Sequence, residues 1–217
     1  MGYFITVEGG EGCGKTSVLE RVIPRLIEDG YTNIVAAREP GGIKISEQIR
    51  EVILNKENTN MDPIAEALLF VASRRQLVSE KILPVLNNNG IFICDRYVDS
   101  NYVYQGYAGN VGVEKVIELN ELAIGDCLPD LTIVFDLDPK IGLDRIARNH
   151  NREVNRLDLA KLDYHYKIRE GYQMIAKRFP NRIVVVDASK SLEEVVDMVY
   201  NLIKCRLEEV KDERLFA

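Results

Sequence analysis

The sequence predicts one three-layer α/β domain, in which helices cover both faces of a five-stranded parallel sheet. Five short apolar runs alternate along the chain with longer helical patterns. Each run is apolar throughout, as parallel strands that are covered on both faces require. The runs span residues 3–7, 33–38, 90–95, 131–136 and 182–187. Because ligands of such sheets bind at the carboxyl ends of the strands, functional residues are expected where these runs end.

The helical patterns between the runs carry recognisable start signals. Asp62 and Pro63 place an N-cap residue and a first-turn proline at the start of one helix. Ser191 and Glu194 form the pattern of a capping box at the start of the last helix. Two prolines fall inside helical patterns, at Pro24 and Pro84. Since proline lacks the N–H that a helix interior needs, each is expected to kink its helix or end it early.

The turn after the first strand fits the phosphate-binding pattern G-x-x-x-x-G-K-[ST]. Its residues are Gly9, Gly10, Glu11, Gly12, Cys13, Gly14, Lys15 and Thr16. The glycines let successive backbone N–H groups point at phosphate oxygens, and the helix that follows adds its positive N-terminal dipole. Lys15 is expected to reach the β- and γ-phosphates, and the Thr16 hydroxyl to help hold Mg²⁺. The strand before this turn and the helix after it argue against a chance glycine-rich turn. The chain is therefore predicted to bind a nucleoside triphosphate.

Composition excludes several other classes of protein. The formal net charge of −6 argues against a surface that coats nucleic acid. No apolar run approaches the ~20 residues that span a bilayer, and the N-terminus lacks the pattern of a signal peptide. The four cysteines include no C-x-x-C pair, which favours reduced thiols over a zinc site. These features predict a cytoplasmic protein with neither nucleic-acid nor membrane partners.

A phosphate loop alone does not separate GTPases, motors, ATPases and kinases. Residues 55–58, Asn-Lys-Glu-Asn, lack the aspartate of the base-reading N-K-x-D motif of GTPases and lie too early in the chain. Arginines instead follow the predicted strands or lie in the helices, at Arg38, Arg50, Arg74, Arg75 and Arg96. Any one of them alone fits a solvated surface residue. Several at one rim predict a second anionic ligand that faces the triphosphate.

Five further segments make the pattern more specific. They are residues 38–42 (Arg-Glu-Pro-Gly-Gly), 69–75, 95–101, 104–106 and 129–132. Together with the phosphate loop they resemble the thymidylate kinase family over nearly the whole chain. The resemblance implies a P-loop NTPase fold and transfer of the γ-phosphate of ATP to dTMP, which gives dTDP. It also implies a Mg²⁺ cofactor and a homodimer.

The same resemblance places a dTMP site on residues from five parts of the chain. They are Glu11, Arg38, Pro40, Arg50, Phe70, Arg74, Arg96, Ser100, Asn101, Tyr104 and Gln105. Phe70 can stack on the thymine face, and Arg74 can donate to a carbonyl oxygen of the base. Without the resemblance, an ordinary core residue is the preferred interpretation of Phe70. The resemblance puts Asp95 with Thr16 at the Mg²⁺ site, although Asp95 also fits a helix cap or an ion pair.

The basic segment at about residues 145–157 resembles the family's lid over ATP. Because the phosphate loop holds no arginine, the chain matches the bacterial-type arrangement, in which the lid supplies the arginine for the transition state. Arg152 is the first candidate for that contact, Arg148 the second and Arg156 the third. The other catalytic candidates are Lys15, Arg96 and Glu11, and Arg148 and Arg152 are also assigned to ATP. A solvated charge run is the alternative for the lid arginines.

Three functions are compatible with these residues. The leading one is a thymidylate kinase. A kinase for another pyrimidine nucleoside monophosphate would share the phosphate loop and differ in a few pocket residues. A nucleotide-binding regulatory module without catalysis is the third, but the intact Lys15, Thr16 and Arg96 do not favour it.

Overall fold

The computed structural model describes residues 2–148 and 161–215, with side chains described through Val210. Its sheet contains strands β1 (Tyr3–Gly9), β2 (Ile34–Arg38), β3 (Ile91–Asp95), β4 (Leu131–Asp136) and β5 (Ile183–Asp187). The strand order is β2-β3-β1-β4-β5, and every pairing is parallel. The predicted five-stranded parallel sheet is therefore confirmed. The first strand runs on to Gly9, beyond its predicted end, because Glu8 and Gly9 pair with Val134 and Phe135 of β4.

Helices connect these strands in the order that the sequence predicts. They are α1 (Lys15–Glu28), α2 (Lys44–Leu54), α3 (Pro63–Leu77), α4 (Leu83–Asn87), α5 (Val98–Asn101), α6 (Val113–Ile124), α7 (Pro139–Arg148), α8 (Leu162–Arg178) and α9 (Leu192–Leu215). The Asp62 carboxylate caps α3, since it accepts from the backbone N–H groups of Ile64 and Ala65. The capping box of α9 also forms, with the Glu194 carboxylate accepting from the Ser191 N–H at 3.0 Å. Both predicted helix starts are confirmed.

The two prolines behave differently from each other. Helix α1 continues past Pro24 to Glu28, so this proline does not end its helix, and the alternative of a kink stays a prediction. Pro84 lies in the first turn of α4, immediately after a π-helical segment at Val78–Ile82. The wider hydrogen-bond spacing of a π turn accommodates a residue that has no N–H to donate. A second π-helical segment, Tyr102–Ala108, follows α5 and carries residues of the site.

Alternate residues of each strand pack into two apolar cores, one on each face of the sheet. Phe4 and Phe92 pack on the side of α3, α6 and α8. Ile5 and Ile93 pack on the side of α1 and α9. The three layers that the sequence predicts are thus present, and the carboxyl ends of β1, β2 and β3 open at one edge. No helix among residues 2–148 and 161–215 is long and apolar enough to cross a membrane.

Candidate active site

A cavity of about 870 Å³ lies at the carboxyl ends of the strands. It is within the size range of small-molecule sites. Most of the residues that the sequence assigns to the site line it: Glu11, Gly12, Cys13, Gly14, Lys15, Thr16, Arg38, Pro40, Arg50, Phe70, Asp95, Arg96, Ser100, Asn101, Tyr104 and Gln105. Gly9, Gly10, Arg74 and Arg148 are not in this lining. Arg152 and Arg156 lie outside the described residues.

The phosphate loop curls around the Lys15 side chain at one end of the cavity. The Lys15 ammonium donates to the backbone oxygens of Gly9 at 3.3 Å and Gly10 at 3.4 Å, and it also approaches the Cys13 sulfur at 3.6 Å. Helix α1 begins at Lys15, so its N-terminal N–H groups and its dipole face the same space. A cationic amine and a helix N-terminus together form a site for phosphate groups.

The loop packs directly against helix α7 through two glycines. Gly12 has a φ of +68°, a left-handed conformation that a side chain would strain. A Cβ on Gly12 would lie 2.1 Å from the Gly142 oxygen, and a Cβ on Gly142 would lie 2.2 Å from the Glu11 oxygen. Both distances are far below van der Waals contact. The close approach therefore fixes the distance between the phosphate loop and α7.

Thr16 and Asp95 form a small polar group beside Lys15. The Thr16 hydroxyl donates to Asp95 Oδ2 at 3.5 Å, and Asp95 Oδ1 is buried with no hydrogen-bond partner among the residues that the structure describes. An oxygen of this kind suits a hard cation or one of its water ligands, so the pair fits Mg²⁺ held mainly by nucleotide phosphates. Within the described part of the chain no cluster of three or more metal-binding side chains occurs, and a phosphate-bound Mg²⁺ does not require one.

Arg96 is the centre of a polar wall beside the phosphate loop. Its backbone has a φ of +71° directly after β3, which turns the side chain back over the strand ends. The guanidinium donates to Glu11 Oε1 at 2.8 Å, to Ser100 Oγ at 3.2 Å and to the Tyr172 hydroxyl at 3.1 Å. It also lies 4.9 Å from the centre of the Tyr104 ring, whose hydroxyl donates to Glu11 Oε1 at 2.9 Å. Arg96 and Glu11 are thus held in place on the cavity surface.

Two further arginines line the cavity from the β2–α2 side. Arg38 forms a bidentate ion pair with Glu47, with hydrogen bonds of 2.6 and 3.2 Å. Glu47 Oε1 also accepts from the Gly42 N–H. The Arg38 hydrogen bond holds the pKa of Glu47 below its usual range. Arg50 donates to the Pro40 oxygen at 2.9 Å, which ties α2 to the turn after β2. Both guanidinium groups border the same space as Arg96.

Arg74 lies behind this wall, and only 1 % of it is exposed. Its guanidinium pairs with Glu39 at 2.7 Å, and it also donates to the backbone oxygen of Tyr97 at 3.0 Å. Its NH1 group donates to the side-chain oxygens of Asn101 at 3.2 Å and Asn120 at 2.6 Å. In this arrangement Arg74 reaches the cavity through Asn101. A direct bond to a base would have to replace one of these contacts, so the predicted contact with thymine stays a prediction.

The other end of the cavity extends along α7 and the turn after β5. Ile146, Ala188, Lys190, Leu192 and Val195 line it. The Arg145 guanidinium lies there too, 3.4 Å from the Ala188 oxygen. This mainly apolar surface can border the nucleoside of a bound triphosphate.

The sequence did not identify the buried acid that organises the polar wall, Glu8. It is fully buried at the end of β1 and accepts hydrogen bonds from Ser100 Oγ at 2.5 Å, the Tyr172 hydroxyl at 2.9 Å and the Tyr97 N–H at 2.7 Å. The only sequence signal was an acidic residue directly after an apolar run. Its partners come from distant parts of the chain. Glu8 thus holds two of the groups that in turn hold Arg96.

Glu8 should make the stability of the protein depend on pH. Burial, and next the nearby Asp99 charge, raise the pKa of Glu8 from its usual 4.5 to about 7. Between these values the folded chain keeps a proton that the unfolded chain has released, so the free energy of unfolding falls as pH rises. Each unit by which the pKa of Glu8 differs between the folded and unfolded chain corresponds to about 1.4 kcal/mol of unfolding free energy.

The variant Glu8→Gln, which does not titrate, should reduce this slope, and the remainder comes from Glu39, whose pKa burial also raises to about 7. Urea unfolding at pH 5 and pH 7.5 measures it. Glu118→Gln, an exposed change on α6, is the control and should keep the wild-type slope. An unchanged slope in Glu8→Gln would show that Glu8 does not titrate in this window.

Together, the fold and the cavity define a class of protein. A phosphate loop after β1, a Thr–Asp pair beside it and an arginine wall facing it are the parts of a P-loop phosphotransferase that acts on a phosphorylated acceptor. The family model for thymidylate kinase matches residues 7–199. The chain belongs to the thymidylate kinase family.

Individual relatives agree with the family model over almost their whole length. The thymidylate kinase of Bacillus velezensis is 50 % identical over 210 residues, which cover 97 % of this chain and 99 % of the relative. That of Clostridium novyi is 47 % identical and covers 94 % of this chain and 98 % of the relative. A solved thymidylate kinase from Ehrlichia chaffeensis superposes with a TM-score of 0.75 at 31 % identity, over 94 % of this chain and 98 % of that chain.

Proposed function

We propose that this chain transfers the γ-phosphate of ATP to dTMP, giving dTDP, and that it does so in the cytoplasm. The observation that carries the proposal is one cavity that is lined by the phosphate loop, by Arg96 beside it, and by Phe70 and Asn101. Such a cavity can hold two phosphorylated ligands with their phosphates facing each other. The family to which the chain belongs performs this reaction.

Phosphoryl transfer requires alignment and charge neutralisation more than covalent chemistry. In the proposed complex, the loop N–H groups and Lys15 hold the β- and γ-phosphates of ATP. Mg²⁺, bound near Thr16 and Asp95, would neutralise phosphate charge. Arg96 holds the acceptor phosphate in line, and Arg38 and Arg50 face the same phosphate from the side of α2.

The acceptor nucleoside is assigned to the wall between Phe70 and Tyr104. Phe70 is partly exposed on α3 and can stack on the pyrimidine. Tyr104 is only 5 % exposed, and its hydroxyl is fixed by Glu11, so the ring is a rigid wall that would disfavour a 2′-hydroxyl. Glu11 is then positioned for the sugar 3′-hydroxyl or for the hydration shell of Mg²⁺. Pro40, Ser100 and Gln105 complete the lining.

The positive charge for the transition state is proposed to come from the lid at about residues 145–157. Arg145 and Arg148 lie at the end of α7, and Arg152 and Arg156 lie outside the described residues. Replacing the key arginine with alanine should lower kcat on the order of 10³-fold and weaken ATP binding only mildly, because such a contact forms mainly in the transition state. Kinetics of Arg152→Ala, Arg148→Ala and Arg156→Ala at saturating ATP rank the three. Near-native kcat in all of them would contradict the lid assignment.

We also propose that the protein is a homodimer. Exposed apolar side chains occur on neighbouring helices: Ile45 and Val52 on α2, Ile64 and Leu68 on α3, and Leu122, which is 89 % exposed, on α6. Helix α3 packs against both α2 and α6, so these side chains lie on three adjacent helices. Apolar surface of this kind is typical of an interface. Sedimentation velocity tests the proposal.

An ADP-release assay with dTMP, dUMP, dCMP and dGMP as acceptors tests the proposed function. The proposal expects dTMP to give the highest kcat/KM. A preference for another pyrimidine monophosphate would favour a different kinase of the same fold. ATP binding without ADP release for any acceptor would favour a regulatory module.

A further inference from the structure

A chain of buried side-chain amides lies directly behind the base end of the cavity. Asn120, on α6, has no exposed surface, and its Nδ2 donates to the Val116 oxygen at 2.7 Å and to Asn101 Oδ1 at 2.9 Å. Its Oδ1 accepts from Arg74 NH1 at 2.6 Å. Asn101 Nδ2 donates to Gln105 Oε1 at 2.9 Å. Asn120, Asn101 and Gln105 together form the amide relay.

The direction of every hydrogen bond in the amide relay is fixed by neighbouring groups that can only donate or can only accept. An arginine can only donate and a backbone carbonyl can only accept. The Asn120 atom beside the Val116 oxygen must therefore be nitrogen, and the atom beside Arg74 must be oxygen. For the same reasons the Asn101 atom that faces Arg74 and the Asn120 nitrogen must be oxygen. An amide flip, which would be ambiguous on an isolated side chain, is excluded here.

The far end of the amide relay is fixed in the same way. Gln105 Nε2 donates to Glu66 Oε1 at 2.8 Å, which leaves Gln105 Oε1 to accept from Asn101. Since the Asn101 oxygen already accepts two hydrogen bonds, its lone pairs are used. The Asn101 nitrogen donates one of its two hydrogens to Gln105. Asn101 and Gln105 both line the cavity, and among the described residues each amide nitrogen has one hydrogen-bond acceptor, which leaves its second N–H for a ligand.

We propose that Asn120 is a specificity-determining positioning residue, which acts through Asn101 to select pyrimidines that carry an oxygen at C4. The inference rests on the proposed function, since it concerns the base of the same acceptor. With its amide locked, Asn101 offers a donor to the base. Thymine and uracil place an acceptor oxygen at C4, whereas cytosine places an amino donor there, so cytosine would leave two donors facing each other. Asn120 itself does not touch the base.

The experiment compares acceptors that differ either at the C4–N3 edge of the ring or only in the 5-methyl group. The acceptors dUMP and dCMP differ at C4 and N3, whereas dTMP and dUMP differ only in the 5-methyl group. In Asn120→Asp the new carboxylate can only accept, so Asn101 Oδ1 loses the hydrogen bond from residue 120 and faces a second acceptor there. Among the described residues only the Arg74 hydrogen bond still holds the Asn101 oxygen in place, so the orientation of the amide is weakened. Asn120→Leu removes the hydrogen bond without placing an acceptor against the Asn101 oxygen. We expect the dUMP:dCMP ratio of kcat/KM to fall about 10-fold or more in Asn120→Asp, which is at least ~1.4 kcal/mol, and by less in Asn120→Leu. The dTMP:dUMP ratio should not change.

Val116→Ala is the matched control. It removes a fully buried side chain one turn earlier on α6 but keeps the backbone oxygen that orients Asn120. It should destabilise the protein and leave both ratios at wild-type values, which separates a selective effect from a general loss of packing. Circular dichroism checks that each variant is folded. Should the Asp and Leu variants not fold, Asn120→Ser replaces them, and Kd values for dUMP and dCMP are measured by calorimetry.

An unchanged dUMP:dCMP ratio in folded Asn120 variants would overturn the inference and leave the proposed function intact. An equal fall of that ratio in Val116→Ala would also overturn it, because the effect would then not depend on the amide relay. If the wild-type chain releases no ADP with dTMP, the proposed function itself has failed. The two failures are thus distinguishable.

Discussion

Lys15→Ala should abolish most turnover and leave the protein folded. The ammonium is the only cationic side chain of the phosphate loop, and its carbon chain holds it against the loop oxygens of Gly9 and Gly10. Alanine removes a charge that faces the phosphates both before and during transfer. Loss of one pre-positioned donor of this kind typically lowers kcat by about 10²–10³-fold, and an effect at least that large is expected here.

The measurement is ADP release at saturating ATP and dTMP, with thermal unfolding to check the fold. Lys167→Ala, an exposed change on α8, is the control for loss of a lysine and should retain wild-type turnover. Substantial kcat in folded Lys15→Ala would refute the assignment of this loop to the triphosphate. A loss of fold would instead show that the loop needs the Lys15 contacts for its structure.

The second large effect concerns stability, at the ion pair between the buried Asp99 and the partly buried Arg182. Asp99 lies in α5, next to two residues of the site, and has no exposed surface. Arg182 donates to both of its oxygens at 2.7 Å, and Thr132 donates to Oδ2 at 3.1 Å. Arg182→Met would leave a buried carboxylate without its counter-charge. Removing one partner of a buried pair typically costs roughly 3–5 kcal/mol, so a loss of that size is expected.

A double-mutant cycle isolates the charge effect from the loss of packing. Asp99→Asn removes the charge that Arg182 balances, so the double variant should be more stable than Arg182→Met alone. Urea unfolding of the four proteins gives the coupling energy. Because α5 carries Ser100 and Asn101, KM for dTMP should rise in Arg182→Met while KM for ATP changes little. Additive effects on stability would show that the two residues are not coupled.

The sequence was informative wherever a local pattern decides the structure. The five parallel strands follow from continuous apolar runs, and the starts of α3 and α9 follow from Asp62 and from Ser191 with Glu194. The phosphate loop is also a local pattern, since its spacing alone places Lys15 and Thr16 at the start of α1. These features depend on residues that are neighbours in the chain.

The remaining features depend on residues that only the folded chain brings together. Glu8, Ser100 and Tyr172 lie in β1, α5 and α8. No local sequence pattern predicts a contact between side chains of three such distant elements. Arginine is rarely buried, so an arginine with 1 % exposure, as at Arg74, runs against the ordinary expectation for its residue type. Its burial depends on Glu39 and on the amides behind the cavity, which lie far apart in the sequence. The role of Asn120 was hidden for the same reason.

The meeting of Gly12 and Gly142 limits how this protein can vary. Neither position has room for a methyl group, so a library that randomises either one should return almost only glycine among active clones. Alanine at position 142 could be tolerated only if α7 moved outward, and the loop at position 12 would then lose the surface that supports it. A change in one segment would thus have to be matched in the other. Glycine at position 12 and glycine at position 142 should therefore be conserved together.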